Sequence, residues 1–149
     1  QGSLAVTGAL NITASVTGGD GALRGGNATG GTASLTLDGG PDSSVTGDTY
    51  VLAAGYGGRV IGSGSDVPGR GPGGLGQGGS ASLAVTDATA SLGTLTVSAE
   101  GSGGQSLDGG QGGDGIGGDA TVSTDGTGGI LASSLLLSAD GTAVSGEVG

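Results

Sequence analysis

Carboxylates are almost the only side chains in this chain that could do chemistry. Its 149 residues carry thirteen acidic groups, eleven of them Asp, against three Arg, with no His, Cys or Lys. Without His or Cys, no familiar triad or thiol nucleophile can be assembled. Paired Asp could act as acid and base, but none sits in an apolar stretch that would bury it and raise its pKa. The glycine runs contain no Lys and do not lead into a helix, so they are not phosphate-binding loops. No catalytic residue and no cofactor is nominated, and the chain reads as a non-enzyme.

Calcium is the one metal with a candidate. Asp114 lies in Gly109-Gly110-Gln111-Gly112-Gly113-Asp114-Gly115-Ile116-Gly117, a nine-residue glycine–aspartate pattern that binds calcium when tandem copies share each ion. The flanking nonapeptides do not match. Asp38, Asp87 and Asp125 end equivalent strands at matching places, and Glu100 and Asp140 end another set. Asp in such positions closes a turn by bonding its own backbone. Tyr50 and Tyr56 are the only aromatic residues and the only platforms a sugar could use. Asn11-Ile12-Thr13 and Asn27-Ala28-Thr29 fit the N-glycosylation acceptor pattern.

A net charge of −10 disfavours nucleic acid and anionic membranes, which need Lys and Arg. The same charge keeps a protein soluble. No disulfide framework is possible. Residues 1–20 have neither a basic start nor an unbroken apolar stretch, so no leader peptide is expected in them. The longest glycine-free run, 80–92, is too short and polar to span a bilayer. The pattern is already under way at the first residue and still running at the last, as in a processed product or part of a longer chain.

The elements that must position these residues are repeated. Leu10, Ile12 and Ala14 return as Thr49, Val51 and Ala53, as Leu95, Val97 and Ala99, and as Leu135, Leu137 and Ala139, in steps of 39, 46 and 40 residues. Repeats of that length mean stacked structural units. Each unit has strands of three types. Type a covers 9–16, 49–54, 94–99 and 134–139; type b covers 32–37, 80–86 and 119–124. Type c is shorter, at 43–46, 88–92 and 129–132, and residues 3–7 read as a further c strand. Type b alternates cleanly: Ala33, Leu35, Leu37; Ala81, Leu83, Val85; Ala120, Val122, Thr124. Alternation buries one face of a strand. Glycine and β-branched residues argue against helix throughout.

The interval from b to the next a is nearly constant, whereas that from a to b varies. The variable parts are the glycine-rich segments 18–31, 55–79 and 101–118. They hold 29 of the 41 Gly, so their state decides how much of the chain is ordered. Flexible loops are the default reading. A second reading rests on Gly73, Gly76 and Gly79 and on Gly109, Gly112, Gly115 and Gly118. Glycine at every third residue lines one face of an extended helix of three residues per turn, so such segments could pack as a second layer. The outward positions beside strand a, namely Asn11, Tyr50, Thr96 and Leu136, do not form the regular Thr array of an ice-binding face.

The phrases Gly30-Gly31-Thr32-Ala33-Ser34-Leu35-Thr36-Leu37-Asp38-Gly39-Gly40 and Leu95-Thr96-Val97-Ser98-Ala99-Glu100-Gly101 resemble the repeats of large bacterial β-strand-repeat surface proteins, the filamentous-haemagglutinin-like and autotransporter-passenger group. The resemblance implies outer-membrane export, a parallel β-solenoid, and adhesive or scaffolding work at the cell surface. Its departure from the group is the size of the glycine segments.

The expectation is therefore an all-β chain, a parallel β-solenoid of about three coils with long Gly-rich excursions from one edge. One repeat domain spans 1–149, with units near 9–47, 48–93 and 94–133 and a partial unit at 134–149. The expected interior is Leu10, Ile12, Ala14, Leu35, Leu37, Val51, Leu83, Val85, Leu95, Val97, Val122, Leu135 and Leu137. The expected role is an extracellular filament or adhesin stalk. Its expected partners are copies of itself, head to tail, or the flanking repeats of a longer chain. The alternatives are a carbohydrate- or surface-binding module using Tyr50 and Tyr56, and a calcium-dependent β-roll.

Overall fold

The computed structural model describes residues 3–39, 43–61, 71–107 and 110–144. Among them are sixteen strands and no helix: β1 (Ala5–Val6), β2 (Leu10–Thr13), β3 (Val16–Thr17), β4 (Ala28–Thr29), β5 (Thr32–Asp38), β6 (Ser43–Val45), β7 (Thr49–Leu52), β8 (Gly55–Tyr56), β9 (Gly76–Gln77), β10 (Ser80–Thr86), β11 (Thr89–Ser98), β12 (Gly101–Ser102), β13 (Gly115–Ile116), β14 (Asp119–Asp125), β15 (Gly129–Ser138) and β16 (Gly141–Thr142). They form four sheets. One joins β1, β6, β11, β7 and β2, with β15 on β11; the others are β5–β10–β14, β3–β8–β12–β16 and β4–β9–β13. Every pairing is parallel.

The pairing follows the sequence repeat residue for residue. Leu10 lies opposite Thr49, Thr49 opposite Leu95 and Leu95 opposite Leu135; Ile12, Val51, Val97 and Leu137 form the next column. On the b strands, Ala33–Ala81–Ala120, Leu35–Leu83–Val122 and Leu37–Val85–Thr124 align in the same way. Residues 5 and 6 pair with β6, as a c strand should. The c and a strands of the later units are not separate: β11 and β15 each run through both. Gly93 continues the strand in β11 and Ser133 does so in β15.

The core lies between the a–c sheet and the b sheet. Val51, Leu83, Val85, Leu95 and Val97 are fully buried, and Leu10, Ile12, Ala14, Leu35, Leu37 and Val122 pack against them half-buried. Each fully buried Leu or Val contributes about 1.5–3 kcal/mol. Leu135 and Leu137 depart from expectation: they are 56% and 48% exposed. Their strand, β15, pairs with β11 on one side only, so the column ends there and leaves them uncovered.

The carboxylate alignment is also corrected. Asp38 and Asp125 lie opposite Thr86, not Asp87. Asp87 falls one residue later, beside Gly39 and Gly126. All three of these turn residues have left-handed φ, at 50°, 51° and 62°. Asp tolerates that conformation better than most residues. Its Oδ1 also accepts from Thr127 N, at 2.8 Å, in the next unit. The site holds Asp for a turn, as expected, but no column of Asp forms there.

Thr49 stands in the otherwise apolar Leu10–Thr49–Leu95 column. It is fully buried, and its Oγ1 has no hydrogen-bond partner. An unpaired buried hydroxyl costs about 1–3 kcal/mol. Thr49→Val keeps the shape and removes that cost, so it should raise stability by about 1 kcal/mol. The expected reading is a higher urea midpoint at unchanged slope.

Candidate functional site

The described parts of the glycine-rich segments are tied together by backbone hydrogen bonds. The sheet β3–β8–β12–β16 runs where the chain enters each segment and again after β15, and the returning halves of the segments form β4–β9–β13. These two sheets lie directly against each other, because glycine puts no side chain between them. One ladder crosses from sheet to sheet at every step. Gly26 N donates to Gly19 O (2.8 Å), Gly58 N to Gly26 O (2.8 Å), Gly74 N to Gly58 O (2.9 Å), Gly104 N to Gly74 O (2.8 Å), Gly113 N to Gly104 O (2.8 Å) and Val144 N to Gly113 O (3.2 Å). The order of residues along this ladder sets the stacking order: first layer, second layer, first layer, with each returning segment wedged between two outgoing ones.

Stacked segments of one layer are also too close for a β-carbon. One added at Gly58 would overlap the carbonyl of Gly19; at Gly104, that of Gly58; at Gly74, that of Gly26. The regular three-residue spacing is only part of the pattern. Gly73 and Gly76 approach backbone of the facing sheet, but so does Gly78, whereas Gly79 meets Gly30 and Gly31 of its own layer.

Polar side chains tie successive units from outside. Asp20 accepts from Arg59 N (2.7 Å) and pairs with the Arg59 guanidinium (3.0 Å) across 39 residues. Asp48 accepts from Thr94 N (3.2 Å) and from the Tyr50 hydroxyl (3.2 Å). Asn27 Oδ1 accepts from Leu75 N at 2.9 Å. The repeat spacing aligns these residues, but nothing in their types marked them as partners.

These contacts set a pH dependence. Hydrogen bonds from Arg59 backbone and side chain hold the Asp20 carboxyl below its ordinary 3.8. Hydrogen bonding to Thr94, then to Tyr50, does the same for Asp48. Both groups bind protons less readily folded than unfolded, so their contribution is complete above pH 3.8 and is lost as pH falls through the lowered values. Tyr50 is raised above 10.0 by Asp48, and its contribution is lost as pH rises through that raised value. Asp20→Asn should remove part of the acid-side loss and leave the alkaline side unchanged. Urea midpoints between pH 2.5 and 7 check this.

The nominated sites are placed as follows. Asp114 is exposed, and its carbonyl accepts from Gly76 N at 3.0 Å. The calcium pattern begins at Gly109, outside the described residues, as does Arg70. No group of three or more acidic side chains able to hold a metal comes together among the described residues. Tyr50 sits in the outward column Asn11–Tyr50–Thr96–Leu136. Tyr56 lies on β8, in a different sheet from Tyr50. Asn11 and Asn27 are both exposed. Glu100 Oε1 and Asp140 Oδ2 both accept from Ser138 Oγ, at 3.4 and 2.8 Å.

What these parts do together is hold neighbouring units in register. No family, curated protein or solved structure matches the chain.

Proposed function

We propose that this chain is a non-catalytic structural element, a parallel β-solenoid of about three coils that works outside the cell as a filament or adhesin stalk. The observation that carries the reading is the unbroken register of equivalent residues, Leu10–Thr49–Leu95–Leu135 and Ala33–Ala81–Ala120. Parallel strands stacked by one repeat step follow from a chain that winds continuously. The four sheets are then the four sides of each coil, two enclosing the aliphatic seam and two the glycine seam. The acidic, Lys-free and Cys-free composition supports an extracellular setting, and the resemblance to filamentous-haemagglutinin-like repeats supports a surface role.

Outer strands with unpaired edges recruit partners. The partners proposed are further copies stacked head to tail or the flanking coils of a longer chain. Electron microscopy and fibre diffraction of concentrated protein test the reading. Fibres with a meridional spacing of about 4.8 Å are expected, since the strands lie across the stacking axis. Monodisperse short particles at high concentration would overturn it.

A further inference from the structure

Four equivalent carbonyls run along the stacking direction at the end of the a strands: Ala14, Ala53, Ala99 and Ala139. The first three accept a glycine N–H from the facing layer, from Gly31 (2.7 Å), Gly79 (2.7 Å) and Gly118 (2.7 Å). Ala139 has no such donor among the described residues. In the same strand Leu135 and Leu137 are about half exposed, whereas their equivalents Leu95 and Val97 are fully buried. On the facing layer, β14 pairs with β10 and has its other edge free. An unfilled acceptor, an uncovered apolar pair and a free strand edge thus meet at one end of the molecule.

We propose that this end binds one extended strand of the b type, supplied by another chain of the same repeat pattern. Its chemistry can be read from the three strands that fill the equivalent places: Gly30-Gly31-Thr32-Ala33-Ser34-Leu35, Gly78-Gly79-Ser80-Ala81-Ser82-Leu83 and Gly117-Gly118-Asp119-Ala120-Thr121-Val122. The second glycine donates its N–H to the carbonyl, and at Gly79 and Gly118 it also admits no β-carbon. The alanine and the branched residue two places later cover the aliphatic pair. The stacking order in the glycine ladder ends on a first-layer segment, at Val144, so the next strand to add belongs to the second layer. An a-type strand does not fit that place. Between two chains stacked end to end, the b layer would be one strand short, and this place would be a slot one strand wide.

The inference rests on the stacking reading but has its own test. A labelled peptide of residues 28–38 is titrated into the dilute, monomeric 149-residue chain and followed by anisotropy and by leucine methyl resonances. Binding is expected to shift the methyl signals of Leu135 and Leu137. It should weaken at least tenfold for the peptide carrying Gly31→Pro, which lacks the N–H. It should weaken similarly for L135S/L137S protein, whose altered positions are solvent-exposed and leave folding intact by circular dichroism. A peptide of residues 49–56 should not compete with the labelled peptide for this place. Absence of binding at millimolar peptide, binding indifferent to Gly31→Pro, or unmoved Leu135 and Leu137 signals would each overturn the proposal. Fibres without peptide capture would sink this inference alone; capture without fibres would sink the filament reading alone.

Discussion

Gly58→Ala is expected to cost about 3 kcal/mol or more, enough to unfold a thin domain of this size at room temperature. The residue is buried, its N–H donates to Gly26, and the added methyl would occupy the same space as the Gly19 carbonyl. Backbone cannot rotate away as a side chain can, so relief requires the Gly58 and Gly19 segments, stacked neighbours in one layer, to move apart. Parting them breaks the cross-layer bonds of neighbouring units as well. Gly19 provides the comparison at the equivalent place one unit earlier. A β-carbon there meets nothing within 4 Å, and its φ is not left-handed. Gly19→Ala should therefore be neutral, or should add up to about 1 kcal/mol by narrowing the unfolded ensemble. Urea unfolding followed by far-ultraviolet circular dichroism measures both. Equal effects at the two positions would mean that the glycine sheets do not pack as described.

The same contrast explains which parts of the fold were legible. Leu10, Val51, Leu83 and Val97 announce themselves, because branched residues at period two have a face, and a face repeated every 39 to 46 residues has a register. Gly58 and Gly74 carry no such signal. A glycine segment packed to contact and one left mobile have the same composition, and what separates them is whether facing segments are also glycine, a property of the assembled layers. Asp87 shows a second limit. Aligning it with Asp38 and Asp125 by residue type gives a register one residue off. The physical alignment is by conformation, with Asp87 taking the left-handed place of Gly39 and Gly126. Asp20 and Arg59 meet because of the repeat step, yet opposite charges 39 residues apart are not by themselves a pair.

Leu95→Ala should destabilise the chain by about 2–5 kcal/mol, the cost of a cavity in a core that cannot collapse around it. Leu95 is fully buried, with Thr49 and Leu135 on either side in its column. Leu135→Ala removes the same atoms from the same column, but from a residue already 56% exposed. In the isolated chain it should cost no more than about 1 kcal/mol. The difference between the two positions is coverage, not sequence, so it should disappear when something covers β15. In a stacked state Leu135→Ala should weaken assembly while leaving the unfolding midpoint of the dilute chain nearly untouched, and Leu95→Ala should do the reverse. Dilute urea unfolding and sedimentation of concentrated protein separate the two effects. A large loss for Leu135→Ala in the dilute chain would mean that its side chain is already covered there, and that stability in this fold is not passed from each unit to the next.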